Sequence, residues 1–185
     1  SETLTVTVGP SPGADIGGSS EKALQAAVDA VARAGGGTVR VQAGTFRLRN
    51  SVFLASNVRL VGEGEKTLLV KEASVSSPLA EDSDWYDQEI TLANPDGFRL
   101  GDGVCLRAGS ARFAIKRTLV ARSGARFRLD RPLRDNVWIS SDEKATARVS
   151  TLFPLLSGEN VHDVTVENLV LDGNRAQNGL LDGNY

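Results

Sequence analysis

The chain has 185 residues and a net charge of −2, and 41% of its residues are hydrophobic, 5% aromatic and 24% charged. A chain of this length can bury a sizeable core, and its small net charge gives no whole-chain argument for nucleic-acid binding. Its single cysteine, Cys105, excludes an intramolecular disulfide framework and lies in an apolar run that predicts a buried thiol. No apolar stretch is long enough to span a bilayer, so no membrane partner is expected.

The N-terminal third begins with an edge strand and a helix. Residues 1–8 alternate apolar and polar side chains, and residues 14–18 follow a Gly-Pro loop and predict a cap rather than a binding site. An amphipathic helix comes next, with Ser19 or Ser20 as N-cap and Gly35 as its left-handed end. Its apolar face is predicted to contain Leu24, Ala27, Val28 and Val31.

After Gly35-Gly36-Gly37 the helical period stops, and short β-branched runs alternate with turn residues. Several of these runs alternate apolar side chains with arginine, which predicts strands with one buried and one solvated face. Hairpins are the alternative for runs this short. The predicted strands cover residues 38–41, 45–48, 52–54, 58–61 and 67–70.

The order of these motifs resembles the N-terminal portion of the pectate lyase-like (pectin lyase fold) superfamily. The motifs are the helix, the GGGTV run, the Ala43-Gly44-Thr45-Phe46 segment, and the Asn-Val-x-Leu-x-Gly-x-Gly pattern over residues 57–64. The resemblance implies an all-β solenoid, a right-handed parallel β-helix, with a capping α-helix. Residues 1–73 would then form the N-terminal strand, the cap and the first coils.

From residue 74 the coil pattern breaks, and residues 74–150 predict an inserted β-rich subdomain whose short strands include residues 98–100. Its first loop combines carboxylates with two aromatic side chains, Trp85 and Tyr86. Asp82, Asp84 and Asp87 are candidate calcium ligands, since calcium prefers clustered oxygens, and the aromatic rings are a candidate sugar platform. A solvated loop anchored by its tryptophan is the favoured alternative.

Basic side chains are concentrated in residues 99–148, which carry twelve Lys and Arg against five Asp and Glu, a net charge of +7 that leaves −9 for the rest. Arginine presents a planar fork suited to carboxylate and sulfate groups, so this segment could hold an anionic polysaccharide. Strands with solvated arginine on their outer face are the favoured alternative, and nucleic acid is disfavoured because no reading motif accompanies the charge. The candidate contacts here are Arg112, Lys116, Arg117 and Trp138.

Residues 151–185 resume the coil pattern, with Asn160, Asn168 and Asn174 as predicted turn residues. Only about three coils are visible, and the chain contains no methionine, so we expect a processed N-terminal fragment of a longer protein. An open β-helix end exposes strand edges, which predicts self-association through that end.

Two activities are implied by the resemblance: proton abstraction beside a uronate by a lyase, sometimes with calcium, or hydrolysis by paired carboxylates. The nearest catalytic candidates are Glu167, Asp172, Arg175 and Asp182, although a turn role is favoured for Asp172 and an exposed strand position for Glu167. We therefore expect a fragment of an extracellular or periplasmic lyase or glycoside hydrolase acting on an acidic glycan. A noncatalytic carbohydrate-binding or tailspike-like module is the alternative.

Overall fold

The computed structural model describes residues 3–107, 114–142 and 145–178, and it is mostly β with one α-helix. The described residues divide into two compact units. The first comprises residues 3–72 and Pro154–Arg175, and the second comprises Ala73–Phe153 with residues 176–178. We call the first the parallel stack and the second the barrel module. The chain leaves the parallel stack after residue 72, returns to it at Pro154 and passes to the barrel module again after Arg175.

The described residues contain the following strands in chain order: β1 (Leu4–Gly9), β2 (Ile16–Gly17), β3 (Gly37–Val41), β4 (Gly44–Leu48), β5 (Val52–Phe53), β6 (Val58–Val61), β7 (Thr67–Lys71), β8 (Ser76–Pro78), β9 (Glu89–Thr91), β10 (Gly103–Arg107), β11 (Ile115–Ser123), β12 (Arg126–Leu129), β13 (Arg148–Ser150), β14 (Leu156–Ser157), β15 (Thr165–Glu167) and β16 (Val170–Asp172). The helix α1 spans Glu21–Arg33.

The helix confirms the sequence prediction in its bounds and its buried face. Ser20 is the N-cap residue, and the face directed into the parallel stack contains Ala23, Leu24, Ala27, Val28 and Val31. Gly35 follows with a φ of +92°, and its N–H donates to the carbonyl of Ala32 at 3.0 Å. This left-handed residue ends the helix because glycine adopts positive φ without a Cβ clash.

The parallel stack has three sheets in which strands from successive turns of the chain lie side by side. One sheet has the order β15-β6-β3-β1-β2, a second β16-β7-β4, and a third β14-β5. Gly37 on β3 pairs with Val58 on β6, and Gly44 on β4 pairs with Thr67 on β7. Each turn of the chain therefore adds a parallel strand beside the matching strand of the turn before it. The chain leaves after β7 and returns as β14 beside β5.

The alternation of each strand decides which side chains fill the interior. Val39 and Leu60 are paired neighbours and fully buried, as are Phe46 and Leu69. Leu171 on β16, which pairs with Leu69, is 48% exposed. It is exposed because, among the described residues, no further strand lies beyond β16. Self-association through this end stays a prediction.

The bends between strands also stack, and they use asparagine in left-handed conformations. Asn160, Asn168 and Asn174 have φ values of +52°, +55° and +48°, which confirms them as turn residues. The N–H of Gly64, in the bend of the second turn, donates to the carbonyl of Asn168 in the next bend at 2.7 Å. Asparagine tolerates this conformation better than most side chains do.

The barrel module is one antiparallel sheet of order β8-β13-β10-β11-β12-β9 whose two edge strands meet. A bridge joins Leu79 to Leu92, and the N–H of Ala80 donates to the carbonyl of Thr91 at 2.9 Å. Closing the sheet removes its edges. Its core contains Leu79, Ile90, Leu92, Phe98, Val104, Leu106, Leu119, Phe127, Leu129, Leu133, Val137, Ala147 and Val149.

Two local expectations in this module have different outcomes. Cys105 on β10 is buried as predicted, and burial raises the pKa of its thiol. Residues 98–100, which look like a strand in sequence, form no strand, since Phe98 enters the core while the N–H of Arg99 donates to the carboxylate of Asp102 at 2.8 Å. Among the described residues no helix combines the length and apolar character that crossing a membrane requires.

Candidate functional site

Three exposed aromatic side chains form the most conspicuous surface of the barrel module. Tyr86 is 77% exposed, Trp138 55% and Trp85 53%. The Trp85 and Tyr86 rings lie with centroids 5.6 Å apart and a tilt of 47°. We call these three residues the aromatic surface. Large aromatic side chains usually bury much of their area, so these three exposed residues form the candidate site of the barrel module.

A short antiparallel pairing brings together the two parts of this surface, Trp85 with Tyr86 and Trp138. A bridge joins Ser83 to Val137, and both of these side chains are buried. Because side chains alternate along a strand, their neighbours Asp84, Asn136 and Trp138 project to the exposed side. The bridge therefore fixes which side chains reach the aromatic surface.

Side-chain hydrogen bonds lock the pairing in place. The indole Nε1 of Trp138 donates to Oδ1 of Asp84 at 2.9 Å, and the N–H of Ile139 donates to Oδ1 of Asp82 at 2.7 Å. The N–H of Trp85 donates to Oδ1 of Asn136 at 2.7 Å. The two bonds to aspartate carboxylates are charge-assisted and therefore stronger than neutral ones, so the rings are held by a fixed frame.

Tyr86 occupies the third position of a tight turn, with a φ of +80°. The turn is closed by the N–H of Asp87, which donates to the carbonyl of Asp84 at 3.0 Å, while the N–H of Asp84 donates to the Asp87 carboxylate at 2.7 Å. A positive φ is costly for an aromatic residue, and such outliers cluster at functional sites. Here the strained conformation places the ring in solvent.

Arg117, a predicted surface contact for a polyanion, instead lies buried at 9% exposure, which corrects that prediction. Its guanidinium donates to the backbone carbonyls of Lys116 at 2.6 Å, of Arg131 at 3.2 Å and of Pro132 at 2.5 Å. Burial lowers the pKa of this guanidinium, and repulsion from Arg131 adds to the effect. Arg117 is therefore a structural residue that holds the loop at 131–132.

Hydrogen bonds connect Leu133, directly after that loop, to the turn that contains Tyr86. The N–H of Leu133 donates to the carbonyl of Asp87 at 2.8 Å, and the N–H of Tyr86 donates to the carbonyl of Leu133 at 3.2 Å. Leu133 itself is buried in the module core. The buried guanidinium of Arg117 thus supports the loop on which Tyr86 rests.

The three predicted calcium ligands do not converge. Among the described residues, no group of three or more His, Cys, Asp or Glu side chains is placed to hold a metal ion. Asp82, Asp84 and Asp87 each accept a hydrogen bond from the loop itself. Among the described residues, these carboxylates therefore do not assemble the predicted metal site.

Three of the four catalytic candidates lie in the described part of the chain. Glu167 on β15 forms an ion pair with Arg59 on the neighbouring strand β6, and Oδ1 of Asp172 accepts the N–H of Asn174 at 2.8 Å as a turn residue does. Arg175 is exposed in a short 3-10 turn. Asp182 lies outside the described residues, as does the carbohydrate candidate Arg112.

Several arginines of the basic segment are engaged within the barrel module. Arg126 pairs with Glu81 at 3.2 Å and with Glu89 at 3.7 Å. Arg122 lies over the Phe127 ring at 4.9 Å, and Lys116 is exposed on β11. The excess positive charge of the sequence is therefore partly compensated locally, which favours the reading of arginines on outer strand faces.

Sequence reasoning missed the contribution of Asn136, whose amide oxygen anchors the turn that carries Trp85. The signal available was the alternation Asn136-Val137-Trp138, which puts the asparagine and the indole on the same side of an extended segment. The structural role of Arg117 had no comparable signal, because its partners are backbone carbonyls.

The described residues form a mostly β fold with stacked parallel sheets and one helix. No family model and no curated protein matches the chain. Solved structures similar to it include the tailspike gp61 of Pseudomonas phage phi297, at 14% identity and a TM-score of 0.42, covering 80% of this chain and 30% of the tailspike.

Two further tailspikes are similar to the chain. One is gp54 of Acinetobacter baumannii bacteriophage AP22, solved in complex with A. baumannii capsular saccharide, at 12% identity and a TM-score of 0.37, with 80% of this chain and 28% of that chain covered. The other is gp49 of Pseudomonas phage LKA1, at 15% identity and a TM-score of 0.36, with 78% and 31% covered. The chain thus spans less than a third of each tailspike, and likeness at this level assigns no activity to it.

Proposed function

We propose that this chain is a glycan-binding part of a right-handed parallel β-helix protein, and that the barrel module makes the contact with the glycan. The observation that carries the proposal is the aromatic surface, in which Trp85, Tyr86 and Trp138 are exposed on a hydrogen-bonded frame. The parallel stack is the scaffold in this proposal, and its three sheets supply the coils.

The chemistry of the surface suits a sugar. A pyranose ring has an apolar face that stacks on an aromatic ring and a rim of hydroxyl groups that need hydrogen-bond partners. The aromatic rings supply the first feature, and the exposed carboxylates of Asp84 and Asp87 supply acceptors for the second. Because the turn is already folded, little conformational entropy is lost on binding.

The test is affinity electrophoresis and isothermal calorimetry with a panel of neutral, amino and acidic polysaccharides. Replacing Trp85 and Tyr86 with alanine together is expected to weaken binding at least ten-fold, since stacking is worth about 1–3 kcal/mol per ring by analogy with base stacking. Phe53, a 58% exposed aromatic residue of the parallel stack, gives the matched control variant Phe53→Ala. Equal binding by both variants and the wild type would remove the proposal.

The activity of a longer protein is a further part of the proposal: a lyase or glycoside hydrolase that acts on an acidic glycan outside the cytoplasm. Its support is the sequence resemblance and the +7 segment, not the aromatic surface. Incubating the natural full-length protein with acidic polysaccharides tests it, because a lyase generates unsaturated uronate absorbance and a hydrolase generates reducing ends. Binding without turnover would favour the noncatalytic alternative, a carbohydrate-binding or tailspike-like module.

A further inference from the structure

The aromatic surface is bordered by negative charge. Residues 81–87 contain Glu81, Asp82, Asp84 and Asp87 and no Lys or Arg. All four are exposed, and Glu81 is occupied by Arg126 and by the hydroxyl of Thr91 at 2.8 Å. Asp82, Asp84 and Asp87, in the same segment as Trp85 and Tyr86, form no such ion pair among the described residues.

Each of these aspartates has acceptor capacity left over. The hydrogen bonds that they accept use Oδ1 of Asp82, Oδ1 of Asp84 and Oδ2 of Asp87. Within the described part of the chain, the second oxygen of each carboxylate accepts no hydrogen bond. A carboxylate ionised at neutral pH is an acceptor only, so these oxygens can receive hydroxyl or ammonium hydrogens from a ligand.

Most of the basic side chains in the neighbouring segments are buried or paired. Arg117 is buried against backbone carbonyls, and Arg126 and Arg131 are paired with acidic side chains of the module. Arg134 is exposed but is followed directly by Asp135. The segment that carries Trp85 and Tyr86 therefore presents three carboxylates and has no basic side chain of its own.

We infer that the aromatic surface selects glycans whose units at this site are neutral or carry an amino group, and that it rejects uronates. This inference rests on the proposed function and specifies its substrate class. A uronate carboxylate stacked on Trp85 or Tyr86 would lie beside Asp84 and Asp87, where like charges repel. A sugar hydroxyl or ammonium group in the same place would instead donate to them. The acidic-glycan expectation from the +7 segment does not apply to this surface.

The experiment compares three probes by calorimetry at low and physiological salt: a neutral galactan, chitosan and polygalacturonate. The wild type is expected to bind chitosan and galactan more tightly than polygalacturonate. The double variant Asp84→Asn with Asp87→Asn keeps an amide oxygen as acceptor for the Trp138 indole and for the Asp84 N–H. Removing the two charges should lower the ratio of the polygalacturonate Kd to the galactan Kd about five-fold, since exposed charge pairs contribute 0.2–1 kcal/mol each.

The control removes two exposed charges elsewhere, with Glu65→Gln in the parallel stack and Asp96→Asn in the barrel module. It should leave the ratio unchanged. The inference is overturned if the wild type binds polygalacturonate as tightly as galactan, or if the control and the double variant change the ratio equally. Near-ultraviolet circular dichroism of Trp85 and Trp138 verifies that the double variant is folded.

A third variant separates this inference from the function on which it rests. Trp85→Ala with Tyr86→Ala must lose galactan and chitosan binding if the aromatic surface is the site. If it binds both as the wild type does, the proposed function fails. If it loses both while the charge variants leave the Kd ratio unaltered, only the substrate preference fails.

Discussion

The side-chain amide of Gln25 on α1 hydrogen-bonds to both backbone groups of Phe53 on β5. The N–H of Phe53 donates to Oε1 of Gln25 at 2.7 Å, and Nε2 of Gln25 donates to the carbonyl of Phe53 at 3.0 Å. An amide is the side chain that offers a donor and an acceptor in the geometry of a peptide group. Gln25 therefore takes the place of a neighbouring strand at this sheet edge, which would otherwise be open to pairing with another chain.

Replacing Gln25 with alanine removes both bonds and leaves the edge of β5 uncapped. We expect the free energy of unfolding to fall by about 1–2 kcal/mol, at roughly 0.5–1.5 kcal/mol per bond. Urea denaturation measures it. Lys22→Ala, at an exposed position of the same helix, is the control and should change stability by much less. An equal loss in the two variants would mean that the amide is not needed at this edge.

Gly35 and Gly37 make a matched pair that separates conformation from packing. Both have positive φ, +92° and +147°, but a Cβ on Gly35 would meet no atom within 4 Å, whereas one on Gly37 would overlap the backbone of Leu4 on β1. Gly35→Ala should cost about 1 kcal/mol for its left-handed conformation. Gly37→Ala should cost about 1–3 kcal/mol more, because β3 has to move away from β1.

Thermal unfolding of the two glycine variants provides the comparison. A Gly37→Ala protein as stable as Gly35→Ala would show that the contact between β1 and β3 is looser than the structure places it. The order of the two Tm values, rather than either value alone, decides the question.

Tyr86 is predicted to lower the stability of the fold through its positive φ and to strengthen glycan binding through its ring. Glycine takes a positive φ at the third turn position without strain, so Tyr86→Gly should change the free energy of unfolding by less than about 1 kcal/mol or raise it. The same variant should bind glycan more weakly, since it lacks the ring. Calorimetry and thermal unfolding on one sample measure both quantities. A large loss of stability would show that the exposed ring supports the fold instead.

Lys71 on β7 should make stability depend on alkaline pH. It is only 7% exposed and pairs with the fully buried Leu48, and burial lowers its pKa below the usual 10.5. In the window between the lowered and the ordinary pKa, the unfolded chain binds more protons than the folded one, so stability rises with pH there. Below the folded pKa this contribution is constant.

The measurement is urea denaturation from pH 8 to pH 10.5 for the wild type, Lys71→Met and the exposed control Lys22→Met. The stability of the wild type relative to Lys71→Met should increase with pH, while the difference from Lys22→Met stays nearly flat. Subtracting variants cancels the titration of the other groups. A flat difference for Lys71→Met would indicate an ordinary, solvated ammonium group.

Local patterns predicted the parts of the fold whose partners lie close in sequence. The helical spacing of Leu24, Ala27, Val28 and Val31 fixed the buried face of α1, and Gly35 fixed its end. Asn160, Asn168 and Asn174 were recognisable as turn residues because few other side chains accept positive φ. The same local reasoning gave a strand over 98–100, which fails because the Asp102 carboxylate captures the Arg99 N–H and turns the chain.

The sequence by itself determined the helix and the strands with one buried and one solvated face. It also determined that aromatic and acidic residues are concentrated near position 85. Only the tertiary structure decided which of them meet. Trp138 reaches Asp84 because Ser83 bridges Val137, and Arg117 turns inward because the carbonyls of Arg131 and Pro132 converge on it. The Ser83–Val137 bridge and the bonds from Arg117 join residues that are distant along the chain. Both depend on backbone groups that every residue type has, so composition and spacing do not show which residues will be partners.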